Sequence, residues 1–172
     1  MPVYHITLHA YRSWNADNPR GYIRKDRKGV QPPDQALARS RDRWAKYPAL
    51  EFGIDDQKFL VNATRDAAAK RGWDLLGVTV TTTHVHSAIA VRGENDSGDI
   101  QARLKSGLGY QLAQQHGTKG RPYFSHGGVP ERVKDEAHLR YLLEQYFPKH
   151  HSPIWCKAIV WKRGASRGAS SR

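Results

Sequence analysis

The stretch from Trp73 to Val91 constrains the fold more than any other part of the chain. Its run Val78-Thr79-Val80-Thr81 is β-branched, which restricts side-chain rotation in a helix and suits a pleated surface. Beyond Thr82 and Thr83, the apolar Val85, Ile89 and Val91 share one face of a second extended segment. Two strands joined by a tight turn are predicted here.

The rest of the chain supplies elements to pair with and cover this hairpin. Val3 to Ala10 alternates and reads as a first strand. From Tyr11 to about Phe52, Pro19, Gly21, Gly29, Pro32, Pro33 and Pro48 predict a long loop, interrupted by a short helix over 34–45. A firmer helix follows, with Asp55 as its cap, Phe59, Leu60, Ala63 and Ala67 along one face, and Gly72 at its end. A second helix runs over about 98–116, with Ile100, Leu104, Leu108 and Leu112 at intervals of four. Turns and a short strand over 121–125 come next, then a third helix over about 135–147 ended by Pro148, and a last strand over 155–161. Paired strands between helices predict an α+β layer, a mostly antiparallel sheet with helices packed on it. One domain over 1–162 suffices, followed by a basic disordered tail over 163–172.

Charge indicates the partner. The 172 residues carry 28 Lys plus Arg against 16 Asp plus Glu, a net +12. The tail contributes only Arg163, Arg167 and Arg172, so most of the excess belongs to the folded part and predicts a polyanion such as nucleic acid. Hydrophobic residues make up 38%, enough for a packed core. Neither a bilayer-length apolar run nor a signal-like start is present, and the single Cys156 excludes a disulfide framework or a thiolate metal cluster. A cytoplasmic protein with no membrane partner is expected.

Two groups of residues could carry chemistry. In His84-Val85-His86 the alternation of a strand puts both imidazoles on one face, where they can share a metal ion. Ala88 in place of a third His argues against a histidine-triad hydrolase, and no second His-x-Ser/Thr copy supports a two-histidine phosphoesterase. In the third helix, with Tyr141 at zero on a wheel of about 100° per residue, Gln145 falls near +40° and His138 near +60°, a polar stripe. Leu142, Tyr146, Leu139 and Leu143 form the apolar arc that packs on the sheet. Tyr146 therefore reads as a core or boundary residue, Tyr141 as free to look into a site, and His138 has no assigned role.

Thr83-His84-Val85-His86, followed by Arg140-Tyr141-Leu142-Leu143-Glu144-Gln145, resembles the HUH single-tyrosine transposases, the small insertion-sequence and REP-associated family. Tyr11-Arg12-Ser13-Trp14, Pro19 to Arg24, Lys70 to Leu76 and Leu104-Lys105 are similar to the REP-associated branch. The likeness covers roughly residues 3–162. It implies a ferredoxin-like antiparallel sheet with flanking helices, usually as a homodimer. It also implies His84, His86 and Gln145 as metal ligands and Tyr141 as a nucleophile that forms a 5′-phosphotyrosine on single-stranded or hairpin DNA. Imidazole and amide ligands suit Mg or Mn. Thr83 and Ser87 depart from the family's usual residues beside the histidines. Trp14, Arg20, Tyr22, Arg24, Lys25, Arg103, Lys105 and Lys119 are candidate DNA contacts. The alternative is a catalytically inactive DNA-binding module or repressor on the same fold. A replication or conjugation initiator fits less well, because 172 residues leave no room for a helicase domain.

Overall fold

The computed structural model describes residues 1–24, 26–93 and 97–158. In chain order the strands and helices are β1 (Val3–His9), β2 (Tyr22–Arg24), β3 (Arg27–Gln31), α1 (Gln35–Arg43), α2 (Ile54–Lys70), β4 (Asp74–Val80), β5 (His84–Ala90), α3 (Ser97–Gln115), β6 (Glu131–Arg132), α4 (Glu136–Tyr141) and β7 (Ile154–Cys156). Five strands form one antiparallel sheet in the order β6-β1-β5-β4-β7. Its first four strands, with α2 between β1 and β4 and α3 between β5 and β6, have the ferredoxin-like order.

The alternation of β1 and β5 decides what each sheet face carries. Ile6, Leu8, Val78, Val80, Val85 and Ile89 are buried against Leu60, Ala63 and Ala67 of α2 and the four-residue series Ile100, Leu104, Leu108 and Leu112 of α3. The opposite face carries a smaller core of Leu76, Ala88, Ala90, Val133, Leu142, Leu143 and Phe147. The predicted hairpin of β4 and β5 and the apolar stripes of both long helices are present.

Several expectations are corrected. Gly53, not Asp55, occupies the N-cap of α2. Asp55 and Asp56 instead lie in the first turn, where a negative charge meets the helix dipole. The early loop holds a hairpin of β2 and β3, with Ile23 opposite Val30, and α1 is capped by Asp34 accepting from the Leu37 N–H at 2.8 Å. The segment 121–125 makes only a bridge between Ala10 and Phe124. The strand beside β1 is β6 instead, since Gly127 and Gly128, at φ of 85° and 93°, turn the chain first. The late helix is regular only through Tyr141 and then widens over Leu142–Tyr146 into a π turn, closed by the Phe147 N–H donating to the Leu142 carbonyl at 2.9 Å. The predicted last strand is shorter, Ile154–Cys156, with Lys157 and Ala158 beyond its end. Its continuation over 159–161 and the tail over 163–172 lie outside the described residues.

Gly77 allows the late helix to sit down on the sheet. A register shift between Leu75 and Gly77 turns Gly77 toward the smaller core, and a Cβ there would lie 2.5 Å from Leu143 Cδ2 and 3.3 Å from Phe147 Cε2. Gly77→Ala is expected to lower stability by about 1–3 kcal/mol through overpacking. Urea unfolding would show this as a lower midpoint at unchanged slope.

Candidate active site

β1 and β5 pair with His9 opposite His84, Thr7 opposite His86 and His5 opposite Ala88. Strand periodicity sends these side chains to the face away from α2 and α3. A row of imidazoles results. The ring of His84 meets that of His9 at 4.3 Å, and His84 and His86 lie 5.6 Å apart with planes only 9° from parallel. His5 stacks on His86 at 5.5 Å, and His150, from a 3-10 turn over Pro148–His150, stacks on His86 at 5.0 Å.

Threonine hydroxyls brace the two central rings. His84 Nδ1 lies 2.6 Å from Thr83 Oγ1, and His86 Nδ1 lies 3.1 Å from Thr7 Oγ1. In the tautomer whose Nδ1–H donates to the hydroxyl, each Nε2 keeps a free lone pair. Burial, with the neighbouring imidazoles of His9 and His150, pushes His84 down to about 4. Burial and the surrounding imidazoles, His5 first among them, depress His86 as well. Both rings are neutral at neutral pH, the form that ligates a metal. Two braced, neutral imidazoles fit a divalent cation. Among the described residues no group of three or more His, Cys, Asp or Glu is placed to hold a metal, so further ligands would be water, phosphate or an amide.

The pair opens into a cleft of about 590 Å³ lined by Trp14, Arg20, Thr81, Thr82, Thr83, Tyr146, His150 and Ser152 as well as the imidazoles and Thr7. The tyrosine beside the imidazoles within the chain is Tyr146, whose ring stands edge-on to His86 at 5.4 Å and to His5 at 5.6 Å. Tyr141 is 45% exposed, its ring 6.3 Å from that of Tyr146, and Gln145 is exposed. Neither lines the cleft.

The reason is geometric. His84 and His86 stand on the sheet face against which the apolar arc of the late helix packs, so a side chain at the edge of that arc reaches them and one on the outer stripe does not. The π turn accentuates this. Its extra residue delays every later side chain around the axis. Phe147 thereby comes over the buried face, Tyr146 reaches the edge of that face, and Gln145 turns outward. His138 is half-buried and its Nδ1 accepts from the Lys134 N–H at 3.4 Å, away from the cleft.

The predicted DNA contacts divide. Trp14 and Arg20 line the imidazole cleft and a neighbouring cavity, and Tyr22 lines that cavity too. Arg24 is paired with Asp26 at 2.7 Å and Arg103 with Asp99 at 3.8 Å, while Lys119 is exposed outside both hollows. Lys25 lies outside the described residues. Lys105 is turned inward: its ammonium donates to the carbonyls of Ser125 and Gly127, both at 2.9 Å, and burial lowers its pKa.

His5, His9 and His150 were not anticipated. His5-Ile6-Thr7-Leu8-His9 has the same alternation as His84-Val85-His86, so the signal for the first two was present in the strand itself. His150 sits on a turn that has no such period.

No protein-family model and no curated protein matches the sequence. Among solved structures, the chain is similar to a protein from Deinococcus radiodurans R1 described as a candidate transposase, with 13% identity, a TM-score of 0.41, and coverage of 88% of this chain and 92% of that one. Among the described residues no helix is long and apolar enough to cross a membrane.

Lys105→Met is expected to cost about 2 kcal/mol, because two carbonyls lose a charged donor. The salt dependence of single-stranded DNA binding should stay unchanged, since no phosphate contact is lost; thermal unfolding and a salt titration of binding check the two parts.

Proposed function

We propose that the chain is a divalent-metal-dependent DNA strand transferase of the transposase type, acting on single-stranded or hairpin DNA. The observation that carries this reading is the threonine-braced, neutral pair His84 and His86 opening into a cleft bordered by Trp14 and Arg20, in a chain of net charge +12. Mg or Mn bound there would neutralise charge on a non-bridging phosphate oxygen.

In this reading the Tyr141 phenolic oxygen attacks phosphorus and the bond from phosphorus to O3′ breaks. The departing O3′ gains a proton and the phenol loses one, leaving a 5′-phosphotyrosine and a free 3′-hydroxyl. The linkage keeps the energy of the phosphodiester, so the strand can be rejoined. Thr7 and Thr83 hold the two rings at a fixed angle, and Arg20 meets the backbone of the strand. Tyr141 and Gln145, exposed one turn apart on the outer stripe, serve the imidazole pair of a second copy of the chain, which makes the active form a homodimer.

A denaturation-resistant adduct between protein and a single strand in the presence of Mn tests this. Tyr141→Phe and His86→Ala should each abolish the adduct, and their mixture should restore it in part, since one copy then keeps the phenol and the other the imidazole. Loss of the adduct in Tyr146→Phe but not in Tyr141→Phe would move the nucleophile to Tyr146 within one chain.

A second reading, a DNA-binding module without catalysis, draws support from the position of Tyr141 and Gln145 outside the chain's own cleft. Its mark is strand binding that is indifferent to chelator, with no adduct from any strand.

The bracing by Thr83 generates a separate expectation. Thr83→Val should weaken Mn binding by about 10–100-fold, the usual effect of losing a partner that orients a ligand, and calorimetric titration of the protein without DNA measures it.

A further inference from the structure

Beside the imidazole cleft lies a second hollow of about 380 Å³, and the two share His9, Trp14 and Arg20 as a common wall. Its character differs. Aromatic surface from Trp14 and Tyr22 faces it, Arg20 and Arg41 supply cations, and Ser125, His126 and Gly128 close the far side. The apolar pair Ile23 and Val30, 77% and 65% exposed, forms its lip on the β2–β3 hairpin.

These walls are held by the fold. The Trp14 indole N–H donates to the Gly21 carbonyl at 2.8 Å, and its ring stands edge-on to His9 at 6.0 Å. Gly21 itself has φ of 79°, and a Cβ there would collide with the carbonyl of Gln31, so the turn that receives the indole is specific to glycine. The guanidinium of Arg41 lies 5.4 Å above the Tyr22 ring, and Tyr22 is packed with Ala16 and Ala38. Lys105 pins the carbonyls of Ser125 and Gly127 and so fixes the far wall. An aromatic pocket with its side chains already locked loses little entropy when an aromatic ligand enters.

We infer that this hollow receives an unstacked nucleobase of the strand whose phosphate lies at His84 and His86. The inference rests on the single-stranded DNA reading of the neighbouring cleft. Trp14 provides the stacking face, and Arg20, on the shared wall, meets the phosphate that joins the two positions. Aromatic walls with flanking cations suit a base, whose π-face stacks irrespective of sequence and whose backbone is anionic. The shared wall makes the two hollows successive stations along one strand.

The experiment measures anisotropy of a fluorescein-labelled oligodeoxythymidine strand with chelator present, so that binding is read without cleavage. Trp14→Ala should weaken binding by about fivefold or more, the range found when a base loses its stacking partner. Trp14→Phe should stay within about twofold of the unmodified chain, and the slope of log affinity against log salt should be unchanged, because no cation is removed. On a strand of the same length built from abasic residues, the penalty of Trp14→Ala should vanish. That comparison separates a lost base contact from a damaged fold, since misfolding weakens both strands alike.

Equal binding by Trp14→Ala and the unmodified chain overturns the inference, as does the same penalty on the abasic strand. An equal loss from Tyr110→Ala, an exposed aromatic outside the hollow, also overturns it. Adduct formation with Mn is scored in parallel. An adduct without Trp14 dependence defeats the base pocket alone, and Trp14 dependence without any adduct defeats the strand-transfer reading alone.

Discussion

The register between β1 and β5 is the constraint on which everything else in this molecule depends. It sets His9 against His84 and Thr7 against His86, seven paired positions in all from Val3 to His9. A slip of β1 by one residue along β5 would turn every β1 side chain to the opposite face. Ile6 and Leu8 would leave the core under α2 and α3, and His5 and His9 would enter it. The large apolar cluster therefore fixes the register, and the register fixes the histidine row. Stability of the core and geometry of the site are two consequences of one pairing.

The same pairing explains why the imidazole row is made of neutral rings. Burying an imidazolium among other imidazoles is doubly unfavourable, through lost hydration and like-charge repulsion. His86 sits among His5, His84 and His150, so its protonated form is penalised by all of them. A hydroxyl on each Nδ1 then fixes ring orientation without adding charge. Thr83 makes the shorter of the two hydroxyl contacts, 2.6 Å to Nδ1 of His84. Ser87 lies on the other face of β5, fully buried, and does not touch this arrangement.

Around this rigid platform the contributions from outside the sheet are arranged by packing. The late helix brings Tyr146 against His86 because Phe147 and Leu143 anchor it at the glycine gap on β4. On the other side, Trp14 is carried by the loop after β1 and tied to the turn at Gly21, so the long segment between the first strand and α2 forms walls. The segment reads as loop because prolines and glycines interrupt it repeatedly, yet its hairpin and short helix build the aromatic hollow. Local composition tells where regular structure is interrupted; it does not tell which surfaces the interruption creates.

Much of the architecture was legible in the sequence because strand alternation and four-residue helix spacing are local properties. The β4–β5 hairpin, the buried faces of α2 and α3, and the shared face of His84 and His86 all follow from residues close together in the chain. What local pattern could not decide was which distant residue meets that pair. A wheel shows which residues share a stripe but not which stripe faces the imidazoles, and it assumes a uniform turn that the π turn at Leu142–Tyr146 breaks. His5 and His9 join His84 and His86 only through a pairing some 75 residues apart, since 84 − 9 = 75. His150 reaches them through a turn after the late helix. The sequence determined the two imidazoles and the charge of the chain; the tertiary structure alone decided their company, because contact across strands depends on register and packing rather than on spacing along one segment.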